Sequence, residues 1–397
     1  MDRPDAFSDM AALSEQSTAW LFDAALPLWW CHGIDRVNGG FHEVLGLDGR
    51  IIPTERRVRV TARQIFAFAL AGKLGWHGDW RGAVDDGLAY FFRACVLPSG
   101  AVRKLTNADG SPKDDTFCLY DQAFALFALA EAASMLNDRA PVEAAAVKLR
   151  DLLIDRYKNP VAGFEEANPR SLPLKANPHM HLFEACLAWE EVGGDATWSR
   201  LADEIAELCL SRLIDRRTGW LKEYFDGDWI VMAGDPGRIC EPGHQFEWSW
   251  LLTRWGTARR RPEAIAAART LTALAEAHGI NRREQMAIME ITDDGRINDG
   301  TARLWSQTER LKSNLALADV AADAAERDRY LATAVTAGRA LLRFLDVETP
   351  GLWRDRMQPD GCFDIEPAPA SSFYHIIYAI DQLRGFVAAC PTSAFAP

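Results

Sequence analysis

The chain repeats itself about every 60 residues, and this period constrains its fold more than any other feature. Six short segments recur: GGFHEVLGLDG (39–49), SGAVRKLTNADG (99–110), AGFEEANP (162–169), TGWLKEYFDGDW (218–229), MEITDDGRINDG (289–300) and PGLWRDRMQPDG (350–361). Most open on glycine and an apolar residue, alternate briefly, and close on Asp-Gly, a tight-turn signal between short strands. Between them lie stretches rich in alanine and leucine, such as 61–74, 119–135 and 263–277, whose apolar residues recur at three and four. Several are apolar around most of their circumference, as helices covered on more than one side should be. Six units of two helices and a hairpin account for all 397 residues. The expected fold is an all-α (α/α)6 barrel, six helical hairpins closed into a toroid, with short β-hairpins gathered as a cup at one end. Tetratricopeptide and ankyrin arrays repeat at about half this length. No linker rich in Ser, Pro or Gly interrupts the pattern, so residues 1–397 are expected to form one domain.

Charge and composition narrow the partners. A net charge of −12 and a pI near 5.2 argue against nucleic acids and anionic membranes, which select basic faces. The opening MDRPDAFSDM lacks the basic-then-apolar pattern of a secretory signal, and no run of about 18 apolar residues exists to span a membrane. The cytoplasm is the expected compartment. The eight cysteines (31, 95, 118, 186, 209, 240, 362 and 390) form no C-x-x-C pair and read as small hydrophobes in a reducing environment.

Histidine is scarce, with eight in the chain. His181, His244 and His375 lie in or at the start of apolar stretches assigned to inner helices. They come from different repeats, at corresponding places, and can point at a common centre. Glu184 follows His181 and Glu247 follows His244 at i,i+3, where helical side chains are neighbours. A carboxylate so placed orients an imidazole and raises its basicity; a purely structural His–Glu hydrogen bond fits the same pattern. His179 looks like a second ligand beside His181, but helical residues two apart point about 200° from each other. With no H-E-x-x-H or Cys/His framework present, no metal is expected. P-loop, G-x-G-x-x-G and G-x-S-x-G motifs are absent too, so no cofactor is expected.

Other residues suit a polar pocket. Arg63, in the apolar VRVTARQIFAFALAG, is costly to bury unless paired. It fits an ion pair or a guanidinium aimed at a developing oxyanion. Trp305 and Glu309 stand at i,i+4 and share one helix face. Trp248, Trp250, Trp305 and Trp353 flank the expected site, where an indole face can cover the C–H face of a pyranose. Core packing is the better account of Trp250.

These strings resemble the N-acylglucosamine 2-epimerase superfamily, which includes 2-epimerases of N-acylglucosamine, cellobiose and mannose, and the mannose and related aldose–ketose isomerases. The resemblance rests on GGFH (39–42), the arginine of TARQ, NPHMHLFEA (177–185), PGHQFEWSWLL (242–252), RLWSQTE (303–309) and the Tyr-His of SSFYHIIYA (371–379). It implies an (α/α)6 barrel, no metal or nucleotide in catalysis, a small-molecule sugar substrate and frequent homodimers. Carried over by residue, His244 and His375 resemble the acid/base pair, and His181 a third histidine assisting ring opening or binding. Arg63 matches an arginine near the sugar's C1–C2 oxygens. Asn177, Glu184, Glu247, Trp305 and Glu309, and more weakly Tyr120, match sugar-contacting or histidine-supporting positions.

One departure concerns the wall of the pocket. Four residues before Arg63, many members carry an aromatic, whereas this chain has Arg59, beside Arg56 and Arg57. Such a cluster fits solvated loop charges, and it leaves open an anionic group on the substrate. The strings lean toward mannose–fructose interconversion through a cis-enediolate, with His375 as the C2 base. A 2-epimerase, an isomerase of a phosphorylated hexose, a glycoside hydrolase and a non-catalytic carbohydrate- or protein-binding module are the alternatives.

Overall fold

The computed structural model describes residues 6–389, in which long helices form two concentric rings. The outer ring holds α1 (Ala6–Trp20), α3 (Trp80–Tyr90), α5 (Ala140–Tyr157), α7 (Ala196–Leu208), α9 (Pro262–His278) and α11 (Ala324–Leu345). The inner ring holds α2 (Val58–Lys73), α4 (Leu119–Met135), α6 (Ala176–Glu191), α8 (Pro242–Arg259), α10 (Leu304–Asp319) and α12 (Phe373–Ala389). Successive inner helices pack on one another, and α12 closes the ring against α2. This is the (α/α)6 barrel that the repeat implies.

Burial follows the two rings. In α7, Trp198, Leu201, Ala202, Ile205 and Leu208 are buried on one side, and Asp195 caps the helix by accepting the Thr197 N–H. Nearly every residue of α8 from Pro242 to Trp255 is buried. One inner helix departs from the expected apolarity. In α10, Ser306, Gln307, Glu309, Arg310, Lys312, Ser313 and Asn314 are all buried. Several of these groups are met inside the protein: Arg310 forks onto Glu276 at 2.7 and 2.8 Å, and Ser313 shares a proton chain with Thr272 and Ser249.

The recurring hairpins have a common root. Gly40, Gly100, Gly163, Gly219 and Gly351 all turn the chain at positive φ, between +67° and +98°. At Gly351 a side chain is excluded twice over, because a Cβ would also sit 2.6 Å from the Ala24 carbonyl oxygen. Four of the six hairpins are then each fastened to an inner helix by one side chain. Gln122 accepts the Val102 N–H and donates to its carbonyl, at 2.7 and 2.9 Å. Gln245 does the same to Leu221, and Gln307 to Ala287. In the third repeat a histidine takes this role: His179 Nε2 accepts the Phe164 N–H at 2.9 Å while Nδ1–H donates to the Lys175 carbonyl.

The longest hairpin pairs Met286–Thr292 with Ile297–Arg303. It extends on one side to Arg356–Met357 and on the other to Ile239–Cys240, making a small sheet at the cup. No helix among the described residues is long and apolar enough to cross a membrane. Of the cysteines, Cys31 and Cys362 are exposed rather than buried, and Cys390 lies outside the described residues.

Candidate active site

Five inner helices are entered from extended backbone on the cup side, at Arg57, Cys118, Lys175, Glu241 and Arg303, and the sixth through a 3-10 turn at Ala370–Ser372, so the first two turns of all six face the cup. Their N-terminal N–H groups give that end of the barrel a positive potential. The first turns bring Arg59, Tyr120, Asn177, His244, Trp305 and His375 to one cavity of about 270 Å³. Arg63, His181 and Glu247 line it one turn deeper, and Arg57, Glu241, Met289, Arg303 and Ser371 complete its wall. The correspondence between histidines is partial. His244 and His375 are each the third residue of their helix, whereas His181 is the sixth, equivalent to Arg63, Glu247 and Glu309.

The three imidazoles are each held through Nδ1 by a carboxylate, which leaves Nε2 as the free nitrogen. His375 Nδ1–H donates to Glu309 Oε1 at 2.9 Å, His244 Nδ1–H to Glu223 Oε2 at 3.0 Å, and His181 Nδ1–H to Glu184 Oε2 at 3.2 Å. The pairing expected between His244 and Glu247 does not occur. Glu247 points instead at His181, 3.7 Å away, and a second carboxylate, Glu241, stands 3.5 Å from His244. The reason is geometric: His244 lies in the first turn, where the incoming segments carrying Glu223 and Glu241 reach it, and Glu247 lies deeper on the axis. The Trp305 indole sits between the outer two rings, 5.3 Å from His244 and 5.9 Å from His375 between centroids.

Their charge states differ. Burial disfavours the charged form of every histidine here, but Glu223 and Glu241 outweigh it and carry the His244 pKa up to about 10. Burial dominates at His181, whose pKa falls to about 4 despite Glu184. At His375 burial together with the nearby Arg63 and Lys312 cations holds the imidazole well below its ordinary value. At neutral pH the cavity therefore has an imidazolium on one side of Trp305 and a neutral imidazole on the other.

Arg63 is not in an ion pair. Its guanidinium donates to the Tyr120 hydroxyl at 2.7 Å and the Ser371 carbonyl at 3.0 Å, and lies 4.0 Å over the Phe124 ring. Its charge is thus left for whatever enters the cavity. Asn177 Oδ1, Arg63 Nε and Glu247 Oε1 are buried without a hydrogen-bond partner. Each such atom costs about 1–3 kcal/mol, and three around one cavity suit a ligand bearing many hydroxyls.

Other sequence expectations fare differently. His179 faces away from His181 and is used up in its hairpin. Trp353 is away from the cavity, stacked on Trp29 at 4.8 Å and Phe373 at 5.5 Å, and Trp248 packs on Phe183. Both are core residues, as is Trp250. Glu184 lies behind His181 and accepts the Tyr374 hydroxyl at 3.0 Å. Arg56 is buried against Asp35 and the Gly39 carbonyl, so it is neither solvated nor at the cavity. Arg57 pairs with Glu43, and Arg59 with Asp121 at 2.9 Å. Sequence reasoning missed Glu223, Glu241, Met289, Arg303 and Lys312. The alternation of WLKEYF could have placed Glu223 on one face of a strand, but nothing local ties it to His244.

Two groups could accommodate a divalent cation by composition: His181 with Glu184 and Glu247, and His244 with Glu223 and Glu241, their ligand atoms within 4.8 Å of one another. In both, Nδ1 is already engaged by a carboxylate.

The model of a protein family described as N-acylglucosamine 2-epimerase (GlcNAc 2-epimerase) matches residues 39–379. The chain belongs to this family. It is 49% identical over 379 residues to a mannose-6-phosphate isomerase of Rhizobium meliloti (strain 1021), covering 95% of this chain and 98% of that one. Among solved structures, a D-mannose isomerase superposes with a TM-score of 0.84 at 19% identity, covering 97% of this chain and 99% of the other. A cellobiose 2-epimerase from Bacillus thermoamylovorans B4167 gives 0.84 at 16% identity, covering 94% and 100%. The family makes this protein an isomerase or 2-epimerase of sugars, and its barrel is the one those structures share.

Proposed function

We propose that the protein is an aldose–ketose isomerase acting on mannose-type hexoses. The observation that carries this reading is a pair of imidazoles in different charge states, neutral His375 and cationic His244, flanking one indole in one cavity. In the open-chain aldose, neutral His375 Nε2 takes the C2 proton. The C–H pair becomes the C1=C2 bond of a cis-enediolate, and the carbonyl pair moves onto O1. Arg63, the His244 imidazolium and the converging helix N-termini stabilise that oxyanion. Moving the O2 proton to O1 and returning the proton of His375 to C1 yields the ketose with every atom balanced. His181, neutral and deeper, is assigned to ring opening, and the Trp305 face to the sugar's C–H surface.

The name carried by the Rhizobium relative supports a second reading, a 6-phosphorylated hexose, as do the guanidiniums of Arg57, Arg59 and Arg303 around the cavity. Each of these already has a carboxylate partner, Arg303 through Asp355 at 2.5 Å, which favours the neutral sugar. Incubation with mannose and with mannose 6-phosphate in D2O, read by NMR, tests both. Deuterium at C1 of a fructose product supports the isomerase, and deuterium at C2 of a glucose product would identify a 2-epimerase. Unlabelled, unchanged sugars in both arms would overturn the proposal.

A further inference from the structure

Lys312 has no exposed surface, although it carries an ammonium. It stands one turn below Glu309 on α10, with Nζ 2.7 Å from Glu309 Oε2. The rest of its surroundings is aromatic: Nζ lies 3.8 Å from the centroid of the Trp250 ring and 4.8 Å from that of Tyr378. It does not line the cavity, so a substrate there does not touch it. Glu309 is therefore a bridge. Its Oε2 faces the ammonium and its Oε1 accepts the Nδ1–H of His375 at 2.9 Å. A methionine would fill the same space without the desolvation cost of a buried cation.

We infer that Lys312 is a positioning residue for the reaction: it keeps Glu309 ionised and aimed at Nδ1 of His375, so that Nε2 stays free to accept a proton. The inference rests on His375 being the base. Its physical content is a proton count. The buried centre holds Glu309 and Lys312 from α10, Arg63 from α2, Tyr120 from α4, His181 and Glu184 from α6, His244 and Glu247 from α8, and Tyr374 beside His375 itself. Removing the ammonium leaves Glu309 and Glu184 with one positive charge fewer, and burial beside Glu309 already holds Glu247 toward its neutral form. A proton is then taken up at the His375–Glu309 pair. On the imidazole it occupies Nε2 directly. On Glu309 it is donated to Nδ1, and the ring carries its own proton at Nε2 instead. Both arrangements block the base.

The test is an ¹⁵N NMR titration of His375 in the wild-type protein and in Lys312→Met, with the resonance identified by its loss in His375→Asn. The inference predicts a neutral Nδ1–H ring in the wild type, and in the variant a midpoint raised by about one pH unit or more. Lys312→Gln, which offers an amide N–H to Glu309 without the charge, should give the same shift and serves if the methionine variant does not fold. An unchanged or lowered midpoint, with only the melting temperature reduced, would make Lys312 a structural residue and overturn the inference. The titration needs no substrate. Wild-type protein inert toward every hexose would sink the proposed function while leaving this result standing.

Discussion

Glu223 Oε2 stands 3.0 Å from Nδ1 of His244, although 21 residues separate the two along the chain. This contact, more than the carboxylates on α8 itself, decides that His244 is an acid. Because the folded-state pKa is raised to about 10, the stabilisation from this pair is fully present below the ordinary histidine value near 6.5 and is lost as pH rises through about 10. In Glu223→Gln the imidazolium loses its main partner. The basic limb of the kcat/KM profile should move down by about one pH unit or more, and a basic limb that stays in place would refute the assignment.

His375→Asn and His244→Asn keep side chains of similar size that cannot carry a proton. Each should slow deuterium incorporation by about 10²–10⁴-fold, the usual contribution of a positioned acid or base, with sugar binding largely retained. Solvent exchange followed by NMR and calorimetric binding on the same samples separate the two effects. Wild-type exchange in the His375 variant would remove it as the base.

His179 offers a prediction about stability. Burial lowers its pKa to about 4, so the contribution of the neutral ring is present above pH 6.5 and is lost as pH falls toward 4. Glutamine already does the same tethering at 122, 245 and 307. His179→Gln should therefore fold, retain activity, and be more stable than wild type at pH 4 by about 2–3 kcal/mol while differing little at pH 7. Denaturant melts at the two pH values give the difference, and equal losses in both proteins would contradict the argument.

The two tryptophans drawn from the same sequence argument should separate. Trp353→Ala empties a stacked core site beside Trp29 and should cost about 3–5 kcal/mol, leaving KM nearly unchanged at low temperature. Trp305→Ala removes the wall between His244 and His375, and should raise KM and lower kcat with a smaller loss of stability. Thermal melts and steady-state kinetics on both variants check the contrast.

The barrel was legible because its cause is local and repeated. The turning glycines and the helical periodicity recur in each unit, and the histidines that line the cavity lie near helix starts that the same pattern marks. What escaped was set by contacts across repeats. An i,i+3 rule pairs His244 with Glu247, yet a first-turn residue meets the incoming loops before it meets its own helix, and so Glu223 and Glu241 took that place. Trp353 lies two residues after a turn glycine, in a segment expected to flank the site; its ring instead stacks in the core against Trp29. On α10 the spacing of Trp305 and Glu309 marked a pocket-facing pair, but nothing in the sequence marked Lys312, whose burial against Glu309 is set by the ring around it.

The side-chain tethers at Gln122, His179, Gln245 and Gln307 clamp four of the six hairpins close to the base. Glu223 lies two residues beyond the Leu221 clamp and still reaches His244, so that hairpin carries part of the proton-handling machinery. Rewriting its stem would retune the acid, while the base on the opposite wall, held by Glu309 from an inner helix, would be left as it is.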